Sequence, residues 1–290
     1  MPLRGALARV LDEPTALAFL QDSGIIQRHR ILHLRGAHDH PMKPGRFRAQ
    51  AGGAQKGSSE ETWASAQAHS SKLPLRTAVH FMYWWSYRET TVEFCARELG
   101  MSKNSPVQWN RRMRQVAEDA LAACDFIRGP RCTVEADEAL FGKRKSNRGR
   151  VLHPQWVLGG VCRETGECFL EPVDDRKTNT LVPLIRRHVL PGSTIITDEW
   201  RSYYRLKDYG YTHLRVNHSA NFVDKKTKAN TQMIESLWNQ AKHGHKVRYG
   251  TRRSSLASDL REFMWRRKLR RCEDCFAAVL EKVAALSSPQ

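Results

Sequence analysis

Hydrophobic positions along this chain recur first at helical spacing, then at every second residue, then at helical spacing again. Residues 10–20 (VLDEPTALAFL) make a short amphipathic helix. The periodicity disappears over 33–72, a stretch rich in Gly, Ala, Ser and Lys that reads as a linker or disordered segment. It resumes with a strongly apolar helix over 75–87. A second helix over about 90–99 puts Val92, Cys95, Ala96 and Leu99 on one face, with Thr90 or Thr91 as its cap and Gly100 as its end. Ser102 or Ser105 caps a third helix, which has Pro106 at its first position and runs to about 124.

From 131 the spacing becomes that of strands. CTVEADE is a strand with Val134 and Ala136 on one face, Glu135 and Asp137 on the other, and Gly142 as its break. QWVLGGVCR (155–163) and ECFLEPV (167–173) flank Thr165-Gly166 as a hairpin. A helical stripe follows over 178–189, despite Pro183, and then a short buried strand, STIIT, that ends at Asp198. Next come a helix over about 200–208, a strand YTHLRVN, a polar loop over 218–230 and a helix TQMIESLWNQAKH. Residues 252–285 read as a helical, very basic tail. Three strands, helix, strand, helix, strand and helix is the succession of an RNase H-like fold. The expected architecture is therefore α/β. An RNase H-like domain with a mixed five-stranded sheet spans 131–250. A helical domain precedes it at 73–130, with an N-terminal segment at 1–72 and a C-terminal tail at 251–290.

Charge changes the picture of partners. Forty-eight Lys and Arg against 30 Asp and Glu leave a formal net charge of +18. Such an excess points to nucleic acid or an anionic membrane surface. No run approaches the roughly 18–20 apolar residues of a membrane span, and no apolar signal core follows the N-terminus, so the chain reads as soluble and not secreted. Seven Cys without a framework spacing fit reduced thiols, and Cys272-x-x-Cys275 is half a zinc site at best. The second and third helices, joined by a short turn containing Gly100, suit a helix-turn-helix on double-stranded DNA. Lys103, Gln108, Arg111, Arg112 and Arg114 are its candidate contacts, with Gln108 and Arg111 facing the groove. A plain helical hairpin with a solvated basic face would carry the same pattern.

Three acids stand out by position. Asp137 lies on the first strand, Asp198 follows the fourth, and Glu235 sits on the helix after the fifth, with 60 and 36 residues between them. Singly, each has an ordinary explanation as an edge-strand acid, a helix cap or a solvated helix residue. In an RNase H-like sheet, however, the first and fourth strands are neighbours and the late helix packs beside them. Carboxylates crowded in this way repel unless a cation neutralises them. Hard oxygen donors suit Mg²⁺ or Mn²⁺, two such ions being the arrangement for in-line phosphoryl transfer.

The motifs VEADEALFGKRKSNRGR, QWVLGGVCRETGECFLEPV, LPGSTIITDEWRSY, HLRVNHSANFVD, NTQMIESLW and EFMWRRK together resemble the ISXO2-like transposase domain of bacterial IS1595-type insertion sequences and eukaryotic Merlin transposons. VEFCARELGMS resembles the family's helix-turn-helix. The resemblance implies a DDE transposase that cleaves DNA at inverted repeats and transfers the freed strand. It carries the acidic triad onto Asp137, Asp198 and Glu235, with Glu135 as the competing first ligand. Asn239 and Lys242 share a helix face with Glu235, and Lys242 resembles a phosphate-contacting position of bacterial transposases. Lys143, Arg144 and Lys145 lie in a basic run suited to phosphate contacts, or to nuclear import or a solvated hairpin. A homo-oligomer assembled on DNA is expected, acting in the nucleus, or in the bacterial cytoplasm or nucleoid. Family members commonly begin with a Cys-x-x-Cys zinc ribbon, yet no Cys precedes Cys95 here, so residues 1–72 are expected to bind no structural zinc. The rival reading from another class is a domesticated DNA-binding protein without transposition activity. A structure-selective nuclease is a third.

Overall fold

Asp12 opens the first helix, α1 (Glu13–Asp22), through a reciprocal capping arrangement with Thr15. The computed structural model describes residues 10–26, 73–122, 132–142, 154–217, 229–247, 253–269 and 274–287. The linker expected at 33–72, the basic run 143–150 and most of the polar loop expected at 218–230 lie outside the described residues. Two compact units emerge, residues 1–116 with 272–290, and residues 117–271.

In the first unit, α2 (Leu75–Ser86) buries Val79, Phe81, Met82 and Trp85. Its start is tied to α1, because Glu13 accepts the backbone N–H groups of Leu75 and Arg76 at 2.9 and 3.0 Å. α3 (Val92–Leu99) is capped by Thr91 and stopped by Gly100 at φ 61°. α4 (Ser105–Ala122) follows, and the unit boundary falls within it. Asn110 of α4 bonds Thr90 through both ends of its amide, which holds the entry to α3 against α4. The expected basic tail is divided between the units. Its second half, α8 (Cys275–Ser287), buries Phe276, Val279 and Val283, and Phe276 meets the rings of Phe19 and Tyr83. Its first half, α7 (Arg253–Leu269), belongs to the second unit. The separation follows from apolar content, since each half carries its own buried residues and neither is a solvated arm.

The second unit is a five-stranded mixed sheet. Its strands are β1 (Thr133–Phe141), β2 (Gln155–Cys162), β3 (Cys168–Val173), β4 (Thr194–Asp198) and β5 (Thr212–Val216), in the order β3-β2-β1-β4-β5. β2 and β3 run antiparallel to their neighbours, whereas β4 lies parallel to both β1 and β5. Helix α5 (Thr178–His188) makes the crossover from β3 to β4. A 3₁₀ helix (Arg201–Tyr209) stands where the sequence suggests an ordinary helix. Its buried residues Tyr203 and Leu206 are three apart, the spacing that a three-residue turn aligns. α6 (Gln232–Val247) follows β5. Alternation along β1 divides the core in two. Val134 and Ala136 pack with α5 and the 3₁₀ helix. Ala139 and Phe141 pack with Ile234, Leu237 and Trp238 of α6 and with Leu256 and Leu260 of α7. Among the described residues no helix is long and apolar enough to cross a membrane.

Candidate active site

β1 and β4 are adjacent and parallel, with Glu135 opposite Ile196. Carried on by two residues, that register sets Asp137 level with Asp198 at the end of β4. Burial pushes the Asp137 carboxyl up to about 6, and the charges of Glu138 and Asp198 push the same way. The backbone N–H of Glu138 and the indole of Trp238 oppose the rise. Trp238 Nε1 donates to Asp137 Oδ2 at 3.0 Å. Asp198 Oδ1 accepts the backbone N–H of Trp200 at 3.0 Å, which fixes its carboxylate over the chain that leaves the strand.

Glu235 lies exposed in the first turn of α6, three residues before Trp238 and seven before Lys242. Lys242 is half-buried, with its ammonium 5.5 Å from the centre of the Phe141 ring. Burial lowers its pKa and the Asp137 charge counters that, so Lys242 is on the Asp137 side of α6. Asn239 is exposed on the same turn. Among the described residues, Cys132, Cys162 and Glu164 form the group of three candidate ligand atoms within 4.8 Å of one another. Asp137, Asp198 and Glu235 do not form such a group. The Cys-containing group sits at the start of β1, away from Asp137 at its middle, and its thiols suit a soft ion in preference to a hard one.

Glu135, the competing first acid, has other employment. Its side chain is fully buried. One oxygen pairs with Arg163 Nε at 2.7 Å and the other accepts the backbone N–H of Ile234 at 3.0 Å. A carboxylate at the first turn of a helix satisfies an orphan donor and favours the helix dipole. Arg163 also donates to the Asn230 carbonyl at 2.8 Å. Glu135 and Arg163 together therefore hold the start of α6, one residue from Glu235. Glu138 plays the corresponding part on the other face. Its carboxylate is buried and pairs with Arg176 at 3.0 Å. The Arg176 carbonyl accepts Trp200 Nε1 and Ser202 Oγ, anchoring the segment after Asp198.

Sequence reasoning missed one residue that the sheet makes decisive. Gly159 of β2 is directly opposite Asp137. A Cβ there would fall 2.5 Å from Cη2 of Trp238 and 2.8 Å from Leu170 Cδ2. Any side chain there would collide with the indole that bonds Asp137. The signal was the Gly159-Gly160 pair inside a strand, which marks a close approach. Of the other candidate contacts, Lys103, Gln108 and Arg111 are exposed, while Arg112 and Arg114 are half-buried. The Arg112 guanidinium lies 5.7 Å from the Trp109 ring centre. Lys143, Arg144 and Lys145 lie outside the described residues.

The fold and its paired carboxylates define a mixed α/β domain with an acidic centre where β1 meets the end of β4. Residues 127–268 match the family model of the ISXO2-like transposase domain. An uncharacterized transposase-like protein of Haemophilus influenzae is 34% identical over 94 residues, which cover 32% of this chain and 75% of that protein. The chain belongs to the ISXO2-like transposase family.

Proposed function

We propose that this chain is a DNA transposase that cleaves and transfers DNA strands with Mg²⁺ or Mn²⁺ held by Asp137, Asp198 and Glu235. The observation that carries the reading is the β1–β4 register that sets Asp137 level with Asp198, where burial first, and then the charges of Glu138 and Asp198, oppose ionisation of Asp137. A divalent cation removes that opposition, and the hard oxygen donors present fit Mg²⁺ or Mn²⁺. When bound, such ions supply activation of the attacking hydroxyl and neutralisation of charge at the phosphate.

The protein's own groups do the rest. Trp238 holds the Asp137 carboxylate in one orientation. Glu135 and Arg163 set the start of α6, and so the height of Glu235 along the site. Lys242 supplies a cation on the Asp137 side of α6, available to a phosphate oxygen. Outside this domain, α3 and α4 act as a helix-turn-helix on duplex DNA, with Gln108 and Arg111 toward the bases. Arg112 and Arg114 have the smaller share because they are half-buried.

The test is to incubate the purified chain with DNA carrying its element's terminal repeats, with Mg²⁺ and with chelator, and to map the broken strands. Metal-dependent breaks at the repeat ends, with binding that weakens steeply as salt rises, are the expected result. Salt-sensitive binding without any metal-dependent break would favour the domesticated DNA-binding protein. Breaks without strand joining would favour the nuclease.

A further inference from the structure

Two large aromatic side chains stand exposed soon after Asp198. Trp200 keeps 43% of its surface exposed and Tyr204 keeps 45%. An exposed aromatic is ordinary when its polar tip reaches for water. Here the polar tips are bonded to backbone carbonyls. Trp200 Nε1 donates to the Arg176 carbonyl at 3.2 Å, and the Tyr204 hydroxyl donates to the Glu199 carbonyl at 3.4 Å.

Each ring is also backed by a cation. The Arg176 guanidinium lies 4.4 Å from the Trp200 ring centre, and that of Arg215 lies 4.9 Å from Tyr204. Arg176 is itself fixed by Glu138 and by a second ring, Trp156, at 4.6 Å. Trp200 is thus pinned by its edge and by a guanidinium, while its backbone N–H bonds Asp198. Arg201, Arg205, Lys207 and Arg215 are exposed on the same segments; Arg205 pairs with Asp208, and with exposed Glu199 also counted the balance is still basic, a charge that complements phosphate. Fixed rings in a basic setting are the two ingredients of single-strand recognition, in which bases stack and the backbone follows the charge. A paired base keeps its faces covered by its neighbours, so a ring can take one only when it leaves the stack.

We propose that Trp200, assisted by Tyr204, is a stacking platform for an unpaired nucleobase of the DNA strand at the acid site. The inference rests on the reading of that site as one that acts on DNA. Stacking of this kind tolerates any base, because the polar atoms that could read an edge are already bonded within the protein.

The test compares binding by the full chain, without divalent metal, of a blunt duplex, a duplex with a single-stranded overhang, and the same overhang built from abasic nucleotides. Trp200→Ala should weaken the overhang complex about ten-fold, Trp200→Phe should retain most of the affinity, and the blunt duplex should be unaffected. On the abasic overhang, wild type and Trp200→Ala should bind alike. A loss that persists on abasic DNA, an equal loss on blunt duplex, or no loss at all overturns the platform. A base-dependent loss in Trp200→Ala, together with a wild-type chain that cleaves nothing in Mg²⁺, refutes the cleavage reading and leaves the platform standing. Metal-dependent cleavage with no base-dependent loss does the reverse.

Discussion

The indole nitrogen of Trp238 and Oδ2 of Asp137 lie 3.0 Å apart, joining α6 to the middle of β1 through one hydrogen bond. That bond favours the ionised carboxylate against a burial that disfavours it. Trp238→Phe keeps an aromatic ring, smaller than the indole, and deletes the donor. The Asp137 pKa should then rise further above about 6, and stability should fall by about 2–4 kcal/mol, the lost bond and the space left by the smaller ring together. Carboxyl NMR of the metal-free protein reads the first effect and denaturant unfolding the second. An unchanged Asp137 titration would show that the indole bond has no electrostatic role.

Gly159→Ala attacks the same bond from β2. The added methyl collides with the indole and with Leu170, so either the sheet distorts or Trp238 retreats from Asp137. Overpacking of this kind costs about 1–3 kcal/mol. Gly160→Ala is the control, because its methyl meets Phe169 in the other half of the core. Both variants should lose stability, but cleavage per folded molecule should fall only for Gly159→Ala. Equal activity losses would mean that a general weakening of β2 is at fault.

Glu135 and Asp137 share a strand face, yet their amide variants should move stability in opposite directions. Glu135→Gln breaks a buried ion pair and should cost about 3 kcal/mol. Asp137 has a folded-state pKa raised from 3.8 to about 6. Its ionisation therefore weakens the metal-free fold as pH rises through that interval, and Asp137→Asn removes the penalty. At neutral pH the gain should be on the order of 2 kcal/mol. Thermal unfolding in chelator measures both. Destabilisation by Asp137→Asn would contradict the burial penalty.

His213 provides a pH test away from the acids. Thr197 Oγ1 donates its hydrogen to the Asp198 carbonyl at 2.6 Å, so at its 2.9 Å contact with His213 Nε2 it can only accept. The ring is then the neutral Nε2–H tautomer, and burial first, with Arg215 and Lys207, lowers its pKa to about 4. The unfolded histidine takes up its proton near 6.5 and the folded one does not. Stability should be complete above that value and fall as pH drops toward 4, by about 3 kcal/mol in all. His213→Gln should lose that much less than wild type between pH 7 and 4. Parallel pH curves would exclude His213 as the source.

The element order was legible because alternation in β1 and helical spacing in α6 are strong local signals, and Asp137, Asp198 and Glu235 fall on those elements. What remained hidden depends on register and tertiary contact. Glu135 and Asp137 are indistinguishable by alternation, and only the partners Arg163 and Ile234 separate them. Trp238 stands at helical spacing from Ile234 and Ala241 in the sequence, but nothing local marks it as a donor, since its partner lies 101 residues away. The short amphipathic segment after Asp198 offers too few turns to tell a 3₁₀ helix from an ordinary one. In the basic tail, charge masks the apolar spacing of α7 and α8, which belong to different units.

The most direct measurement is strand cleavage of terminal-repeat DNA by wild type, Asp137→Asn, Asp198→Asn and Glu235→Gln in Mg²⁺, with DNA binding measured in parallel. If the three acids hold the metal, each variant should bind DNA like wild type and lose cleavage by about a hundred-fold or more. Cleavage at the wild-type rate by Asp198→Asn or Glu235→Gln would contradict the account.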